Sequence, residues 1–231
     1  LHHAYLFTGT RGVGKTTIGR ILSKCLNCEK GVSSVPCGEC SSCTEIDAGR
    51  FIDLIEVDAA SRTGVDDMRD LLDNVQYAPS RGRFKIYLID EIHMLSKSSF
   101  AALLKTLEEP PPHVKFLFAT TDPQKLPITV LSRCLQFNLK NLSAERITEH
   151  LKYVLGEEKV PFEEAGLWSL GLAADGSMRD ALSLTDQAVG HGGGSITDSD
   201  VISMLGTIER HFVVDICIAM ASQSGGKLLS S

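Results

Sequence analysis

The first part of the chain alternates short apolar runs with segments of helical spacing. Lys85–Asp90 is almost continuously apolar, which is typical of a strand buried on both faces, whereas Lys15–Leu26 repeats its apolar residues with helical spacing. This alternation predicts an α/β fold, a parallel sheet with helices on both faces. The predicted strands are Ala4–Thr8, Leu54–Asp58, Lys85–Asp90, Lys115–Thr120 and Leu135–Leu139, and the predicted helices are Lys15–Leu26, Asp66–Val75 and Ser96–Leu107.

Beyond Asn141 the pattern changes to helical periods alone, separated by glycines such as Gly156 and Gly176. The predicted helices are Ser143–Leu155, Glu163–Ala174, Ser177–Val189 and Thr197–Leu205, and a further one begins at Glu209. We therefore expect an α/β domain at residues 1–141, a small all-α domain at 142–207 and the start of another helical domain at 208–231.

The amino-acid composition excludes only a few classes of protein. Hydrophobic residues make up 43% of the 231 positions and charged residues 23%, as in ordinary globular proteins. The sequence has neither a secretory leader nor an apolar run of the roughly 20 residues that a membrane helix needs, so we expect a cytoplasmic protein. It opens on Leu1 and runs into a strand, so we expect part of a longer protein. The net charge of −6 argues against tight nucleic-acid binding by this chain alone, although a surface shared within an assembly stays open.

A phosphate-binding motif follows the first predicted strand. Residues 9–16 read GTRGVGKT and fit the pattern G-x-x-x-x-G-K-[ST] completely, with a strand before them and a helix after. Glycines let successive backbone N–H groups turn inward around phosphates, and the helix N-terminus favours an anion. We expect Lys15 to reach the β and γ phosphates and Thr16 to hold Mg²⁺. The predicted nucleotide-binding residues are Gly9, Thr10, Arg11, Gly12, Val13, Gly14, Lys15, Thr16 and Thr17.

Two acidic residues end the third predicted strand, at the sheet edge where α/β proteins bind ligands. We expect Asp90 to bind Mg²⁺, directly or through water, and Glu91 to orient and polarise the attacking water. The string Asp-Glu-Ile-His at 90–93 also matches the DExH helicase pattern. A helicase of that type needs a second α/β domain, whereas a helical region follows here. We expect His93 to be a structural or sensing residue rather than the base.

Five of the seven cysteines lie between Cys25 and Cys43. In a reducing compartment such a cluster indicates a metal site more than disulfides. Four cysteines with two Cys-x2-Cys steps predict a structural zinc site with no open position for catalysis. Cys25 is a fifth candidate, but it falls in the last turns of a predicted helix, which favours a packing role. The predicted zinc ligands are Cys28, Cys37, Cys40 and Cys43.

A phosphate loop followed directly by a four-cysteine insertion is an unusual combination, and the surrounding strings sharpen it. They are HHAYLFTGTRGVGKTT, DLIEVDAASRTGVDDMRDLL, YLIDEIHMLS, LLKTLEEPPPHVKF, ATTDPQKLPITVLSRCLQF and GSMRDALSLTDQA. From His2 to about Ile208 the chain resembles the gamma/tau subunits of bacterial DNA polymerase III, the ATPases of the clamp loader.

The resemblance implies an AAA+ module, in which the α/β ATPase domain is followed by a helical lid and a collar, here beginning at 208–231. It implies that Thr121 is the first sensor of the γ-phosphate or water, with Thr120 as the alternative. Arg133 corresponds to an arginine finger offered to ATP in an adjacent subunit, and Arg179 to a second sensor that closes the lid on the γ-phosphate. It implies the same four zinc ligands without Cys25.

The resemblance also implies ATP, Mg²⁺ and Zn²⁺ as cofactors, and as partners the other clamp-loader subunits, the sliding clamp and primed DNA. The DNA polymerase III holoenzyme is classed with the DNA-directed DNA polymerases, which are nucleotidyltransferases. The leading hypothesis is therefore an ATP-driven motor subunit in DNA replication. Two alternatives stay open: a non-hydrolysing scaffold subunit, and a zinc-containing nucleic-acid-binding regulator with an AAA+ core.

Overall fold

The computed structural model describes residues 1–61 and 71–206. The chain divides into two compact units, Leu1–Lys140 and Asn141–Ser231. The assignment of residues 1–141, 142–207 and 208–231 to an ATPase domain, a lid and a collar stays a prediction. The expected collar segment lies outside the described residues.

The first unit is built on a five-stranded sheet in which every neighbouring pair is parallel, in the order β2-β3-β4-β1-β5. The predicted α/β class with a parallel sheet is confirmed. Strand β4 begins one residue before the predicted start, and β5 ends one residue before the predicted end. The strands are β1 Ala4–Thr8, β2 Leu54–Asp58, β3 Lys85–Asp90, β4 Val114–Thr120 and β5 Leu135–Asn138.

Two helices cover opposite faces of this sheet. Successive residues of a strand point to opposite faces, so each central strand contributes to two cores. Helix α1 (Lys15–Asn27) packs through Leu26 on the face that carries Tyr5 and Leu88. The larger core on the other face contains Phe116 and Phe118 of β4 and is covered by helix α3 (Lys97–Glu108).

Two short helices have no counterpart in the sequence prediction. These are α2 (Ser41–Asp47), which lies in the cysteine insertion, and α4 (Ile128–Leu131), whereas the predicted helix at 96–107 is α3 (Lys97–Glu108). Helices of seven and four residues are too short to repeat an apolar period, so no pattern could predict them. The first half of the predicted helix Asp66–Val75 lies outside the described residues. Its last part is helical at 71–73 and continues as a 3₁₀ turn at Asn74–Gln76.

The second unit contains four described helices around its own apolar core, in which Leu151, Leu167 and Leu170 are fully buried. Three of these four helices begin at side-chain caps, because Ser143, Ser177 and Thr197 each accept a backbone N–H at a helix N-terminus. Among the described residues, no helix is long and apolar enough to cross a membrane. The helices are α5 Ala144–Glu157, α6 Glu164–Ala173, α7 Met178–His191 and α8 Asp198–Leu205.

Candidate nucleotide site and metal centre

The phosphate-binding motif forms the turn between β1 and α1. Gly9, Gly12 and Gly14 have φ angles of 148°, 78° and 94°, which residues with a Cβ rarely adopt. A Cβ on Gly9 would also lie 2.7 Å from the backbone oxygen of Leu139. The glycines of the motif are therefore required by the backbone conformation that turns the N–H groups inward.

Lys15 is held against this loop. It is the first residue of α1, only 6% exposed, and its Nζ donates to the backbone oxygens of Gly9 at 3.0 Å and Thr10 at 2.9 Å. The ammonium thus lies within the turn whose N–H groups would bind phosphate. Of the other predicted loop residues, Thr10, Arg11 and Thr17 are exposed, and Val13 is half-buried.

Thr16 and Asp90 meet at the end of β3. The Thr16 hydroxyl donates to Asp90 Oδ2 at 2.7 Å, although 74 residues separate them in the sequence. The other carboxylate oxygen of Asp90 accepts the backbone N–H of Glu91 at 2.9 Å. A hydroxyl and a carboxylate oxygen are hard ligands of the kind Mg²⁺ prefers, so this pair fits the predicted magnesium site.

Glu91 lies next to this pair with a φ of 46°, an uncommon value for a residue other than glycine. Its Oε2 accepts both the backbone N–H of Thr121 at 3.1 Å and the Thr121 hydroxyl at 2.9 Å. His93 Nδ1 lies 3.2 Å from the same oxygen and 2.9 Å from the hydroxyl of Thr120, which is fully buried. The structure therefore brings Thr121, the expected first sensor, into contact with Glu91.

The two predicted site arginines lie in different units of the chain. Arg133 donates to the backbone oxygen of Thr129 at 2.8 Å and to Glu108 Oε1 at 2.9 Å. Glu108, the last residue of α3, was not expected as its partner. Arg179 lies in the first turn of α7 in the second unit and is exposed.

The four predicted zinc ligands come together at the other end of α1. Their sulfur atoms all lie within 4.8 Å of one another. Zn–S bonds of about 2.3 Å place the sulfurs of a tetrahedral site about 3.8 Å apart, so the cluster fits zinc after a small contraction. Cys25 lies outside this group and donates its S–H to the backbone oxygen of Ser34 at 3.7 Å. The clustered cysteines are Cys28, Cys37, Cys40 and Cys43.

The surroundings of the sulfurs differ. Backbone N–H groups of Cys40 and Glu39 lower the pKa of Cys37 to about 6, whereas burial raises the pKa of the fully buried Cys43 to about 12. The Cys40 N–H lies 3.4 Å from Cys37 Sγ, and a contact of this kind stabilises negative charge on sulfur. The surroundings of Cys37 therefore favour its thiolate form, whereas those of Cys43 favour the thiol.

A loop between β2 and β3 anchors the cysteine cluster. Arg83 donates through Nη1 to the backbone oxygen of Cys28 and through Nη2 to that of Glu29 at 3.2 Å. Arg81 donates to both carboxylate oxygens of Glu45 in α2, at 2.9 and 3.0 Å. The buried Asp53 holds the loop itself by accepting three backbone N–H groups, each at 2.7 Å. No sequence signal links this loop to the cysteines.

Two family models match the chain. Residues 1–143 match a model described as DNA polymerase III, delta subunit, and residues 146–194 match the ATPase lid domain of the DNA polymerase III clamp loader subunit. DNA polymerase III subunit tau of Escherichia coli is 61% identical over 230 residues, covering 100% of this chain and 36% of that protein. Subunit tau/gamma of Haemophilus influenzae is 61% identical, covering 99% and 33%, and subunit tau of Bacillus subtilis 46%, covering 91% and 38%. The chain spans about a third of the length of these relatives.

Solved structures of Thermotoga maritima RuvB share the fold. The RuvB Holliday junction branch migration motor superposes with a TM-score of 0.63 at 19% identity, covering 97% of this chain and 70% of that one. This likeness identifies the AAA+ fold, an α/β domain followed by a helical lid. The family models, together with the tau/gamma relatives, show that the chain belongs to the family of DNA polymerase III clamp-loader subunits.

Proposed function

We propose that this chain binds and hydrolyses ATP as a motor subunit of the DNA polymerase III clamp loader, which loads the sliding clamp onto primed DNA. The observation that carries the proposal is the 2.7 Å contact between Thr16 and Asp90. It joins the phosphate loop to the acidic end of β3, where Glu91 follows. The turn that we propose to bind phosphate, the two proposed magnesium ligands and the candidate base thus lie side by side.

Each of these residues has a distinct role in the proposal. The loop N–H groups and Lys15 bind the phosphates, and Thr16 and Asp90 hold Mg²⁺, which neutralises charge on the phosphate oxygens when it is bound. Glu91 orients the attacking water and draws its proton. Thr121 senses the γ-phosphate or the water. Because its hydroxyl donates to Glu91, binding of nucleotide would compete with that contact.

The two arginines complete the proposed site. Arg133 acts as a finger in trans, since a guanidinium stabilises the charge spread over a transferring phosphoryl group. To do so, Arg133 must leave its ion pair with Glu108 and bind a phosphate of the ATP held by the neighbouring subunit. Arg179 acts as the second sensor of the lid. The cysteine cluster holds a structural Zn²⁺, because four protein ligands leave no coordination position for a substrate.

The proposed partners are the other clamp-loader subunits, the sliding clamp and primed DNA, all in the cytoplasm. Contacts to DNA phosphates would be spread over several subunits, which reconciles DNA binding with a net charge of −6. The nucleotidyltransferase class belongs to the holoenzyme as a whole.

ATPase activity of the full-length protein, assembled with its partner subunits, the clamp and primed DNA, tests the proposal. Lys15→Ala should lower the clamp-stimulated rate about 100-fold or more, because the phosphate charge loses its cationic partner. Lys105→Ala, at an exposed position of α3, is the matched control and should leave the rate unchanged. An unchanged rate in the Lys15 variant would exclude the motor and favour the non-hydrolysing scaffold.

A further inference from the structure

His93 stands against the carboxylate of Glu91 rather than in solvent. It lies in the 3₁₀ turn Ile92–Met94 that follows β3, and its side chain is only 9% exposed. Nδ1 lies 3.2 Å from Glu91 Oε2 and 2.9 Å from Thr120 Oγ1. One ring nitrogen is therefore shared between the candidate base and a buried hydroxyl.

The chemistry of the neighbours decides which form of the ring fits. A carboxylate oxygen only accepts hydrogen bonds, so its contact with Nδ1 is favourable only when Nδ1 carries a proton. The Thr120 hydroxyl oxygen already accepts the backbone N–H of Asp122 at 3.1 Å and can accept a second donor. The neutral ring protonated on Nδ1 therefore satisfies both contacts, whereas the opposite tautomer would set its lone pair against Oε2.

This contact makes the two oxygens of Glu91 unequal. Oε2 faces three donors, the N–H and hydroxyl of Thr121 and Nδ1–H of His93. The side-chain contacts that the structure gives for Glu91 within residues 1–61 and 71–206 all use Oε2. The backbone of Glu91 has a positive φ, so contacts with neighbouring residues are needed to hold this conformation and the side chain that it directs. Holding Oε2 leaves Oε1 as the oxygen that can meet a water.

We propose that His93 is a positioning residue for Glu91: its Nδ1–H fixes Oε2 so that Oε1 faces the attacking water. The inference rests on the proposed ATPase function and adds a residue to it. A ring that only filled space would support the fold but not the turnover rate. A positioning ring should affect kcat, leave the KM for ATP unchanged, and be replaceable by a side chain that presents an N–H at the same place.

The test uses the full-length protein assembled with its partner subunits, clamp and primed DNA. His93→Asn and His93→Asp form a matched pair, because the side chains are nearly isosteric but only the amide can donate to Oε2. We expect the Asn variant to retain kcat within about threefold and the Asp variant to lose at least about tenfold more, the KM of both staying within about twofold. Thermal unfolding of both variants checks that they fold.

Equal kcat values for the Asn and Asp variants would overturn the inference, as would a wild-type kcat in His93→Ala. If the alanine variant does not fold, the Asn–Asp pair still decides. A wild-type complex without ATPase would overturn the proposed function as well. An active wild type with equal variants would overturn the role of His93 alone.

Discussion

Helix α1 carries a candidate site at each of its ends, and the two are built in opposite ways. Its 13 residues place the ends about 20 Å apart. At the N-terminus the phosphate loop presents backbone N–H groups, Lys15 and Thr16. At the C-terminus Cys28 is both the residue that caps the helix and the first sulfur of the cysteine cluster.

The N-terminal site depends on main-chain conformation, which three glycines determine within eight consecutive residues. The C-terminal site depends on four sulfur side chains from residues 28–43, and Arg83 supports it by donating to the backbone oxygen of Cys28 across 55 positions. One site stays open to a substrate, while the other is closed by its own ligands. We expect the open site to serve turnover and the closed site to serve rigidity.

The largest effect is expected from Cys43→Ser at the closed end. Zinc binding contributes directly to folding free energy, so losing a fully buried ligand should be costly. Because the sheet core remains, we expect a loss of about 3–5 kcal/mol rather than complete unfolding. This corresponds to a Tm lower by about 10 °C in thermal unfolding of the full-length protein.

Cys25→Ser is the matched control, since Cys25 is also buried but lies outside the cluster. It should cost about 1 kcal/mol or less. A zinc chelator should lower the Tm of the wild type and leave that of the Cys43 variant unchanged. Equal losses in the two cysteine variants would contradict a metal site.

Glu91→Gln should produce the next largest effect, at the open end. The amide keeps the shape of the carboxylate and can still accept from Thr121, but it cannot take a proton from water. We expect hydrolysis to fall about 100-fold, or about 2.7 kcal/mol in the barrier, with ATP binding retained. Glu109→Gln, at an exposed position after α3, is the control for steady-state ATPase. A parallel loss of nucleotide binding would show that Glu91 is needed for the loop itself.

The same difference between the two sites explains how much of each could be predicted from the sequence. The phosphate loop is contiguous, so its residues could be predicted singly, and the strand ending at Asp90 could be matched with it because parallel strands share a ligand-binding edge. The clustering of the four cysteines could be predicted from their spacing alone. Their support by Arg81 and Arg83 could not, because arginines give no sign of their partners before the chain is folded.

Three further features depend on tertiary structure in the same way. The strand order β2-β3-β4-β1-β5 requires crossovers that no local pattern records. The contact between Thr121 and Glu91 arises because β3 and β4 are neighbours in that order. Helix α2 owes its position to the cysteine cluster, since Cys40 caps it and Cys43 lies inside it.

Arg83→Ala should have a smaller effect on stability. Its size measures how much the cysteine cluster depends on Arg83. The substitution removes a charged donor from two backbone oxygens, so we expect a loss of about 1–2 kcal/mol in the free energy of unfolding. Arg50→Ala, an exposed arginine in the turn after α2, should stay within about 0.5 kcal/mol. Chemical denaturation measures both. A loss in Arg83→Ala that disappears in the presence of chelator would show that the anchor acts only through the metal.

The smallest effect is expected for the ion pair between Lys24 of α1 and Asp47 of α2. The ammonium lies 2.8 Å from the carboxylate, but Asp47 is 55% exposed, so solvent and salt screen the attraction. A double-mutant cycle with Lys24→Ala and Asp47→Ala should give a coupling of about 0.2–1 kcal/mol that shrinks at high salt. A coupling energy well above that range would mean that the ion pair contributes substantially to the packing of α2 on α1. The expected small value would instead indicate that the sulfur atoms and Arg83 are what stabilise the cysteine cluster.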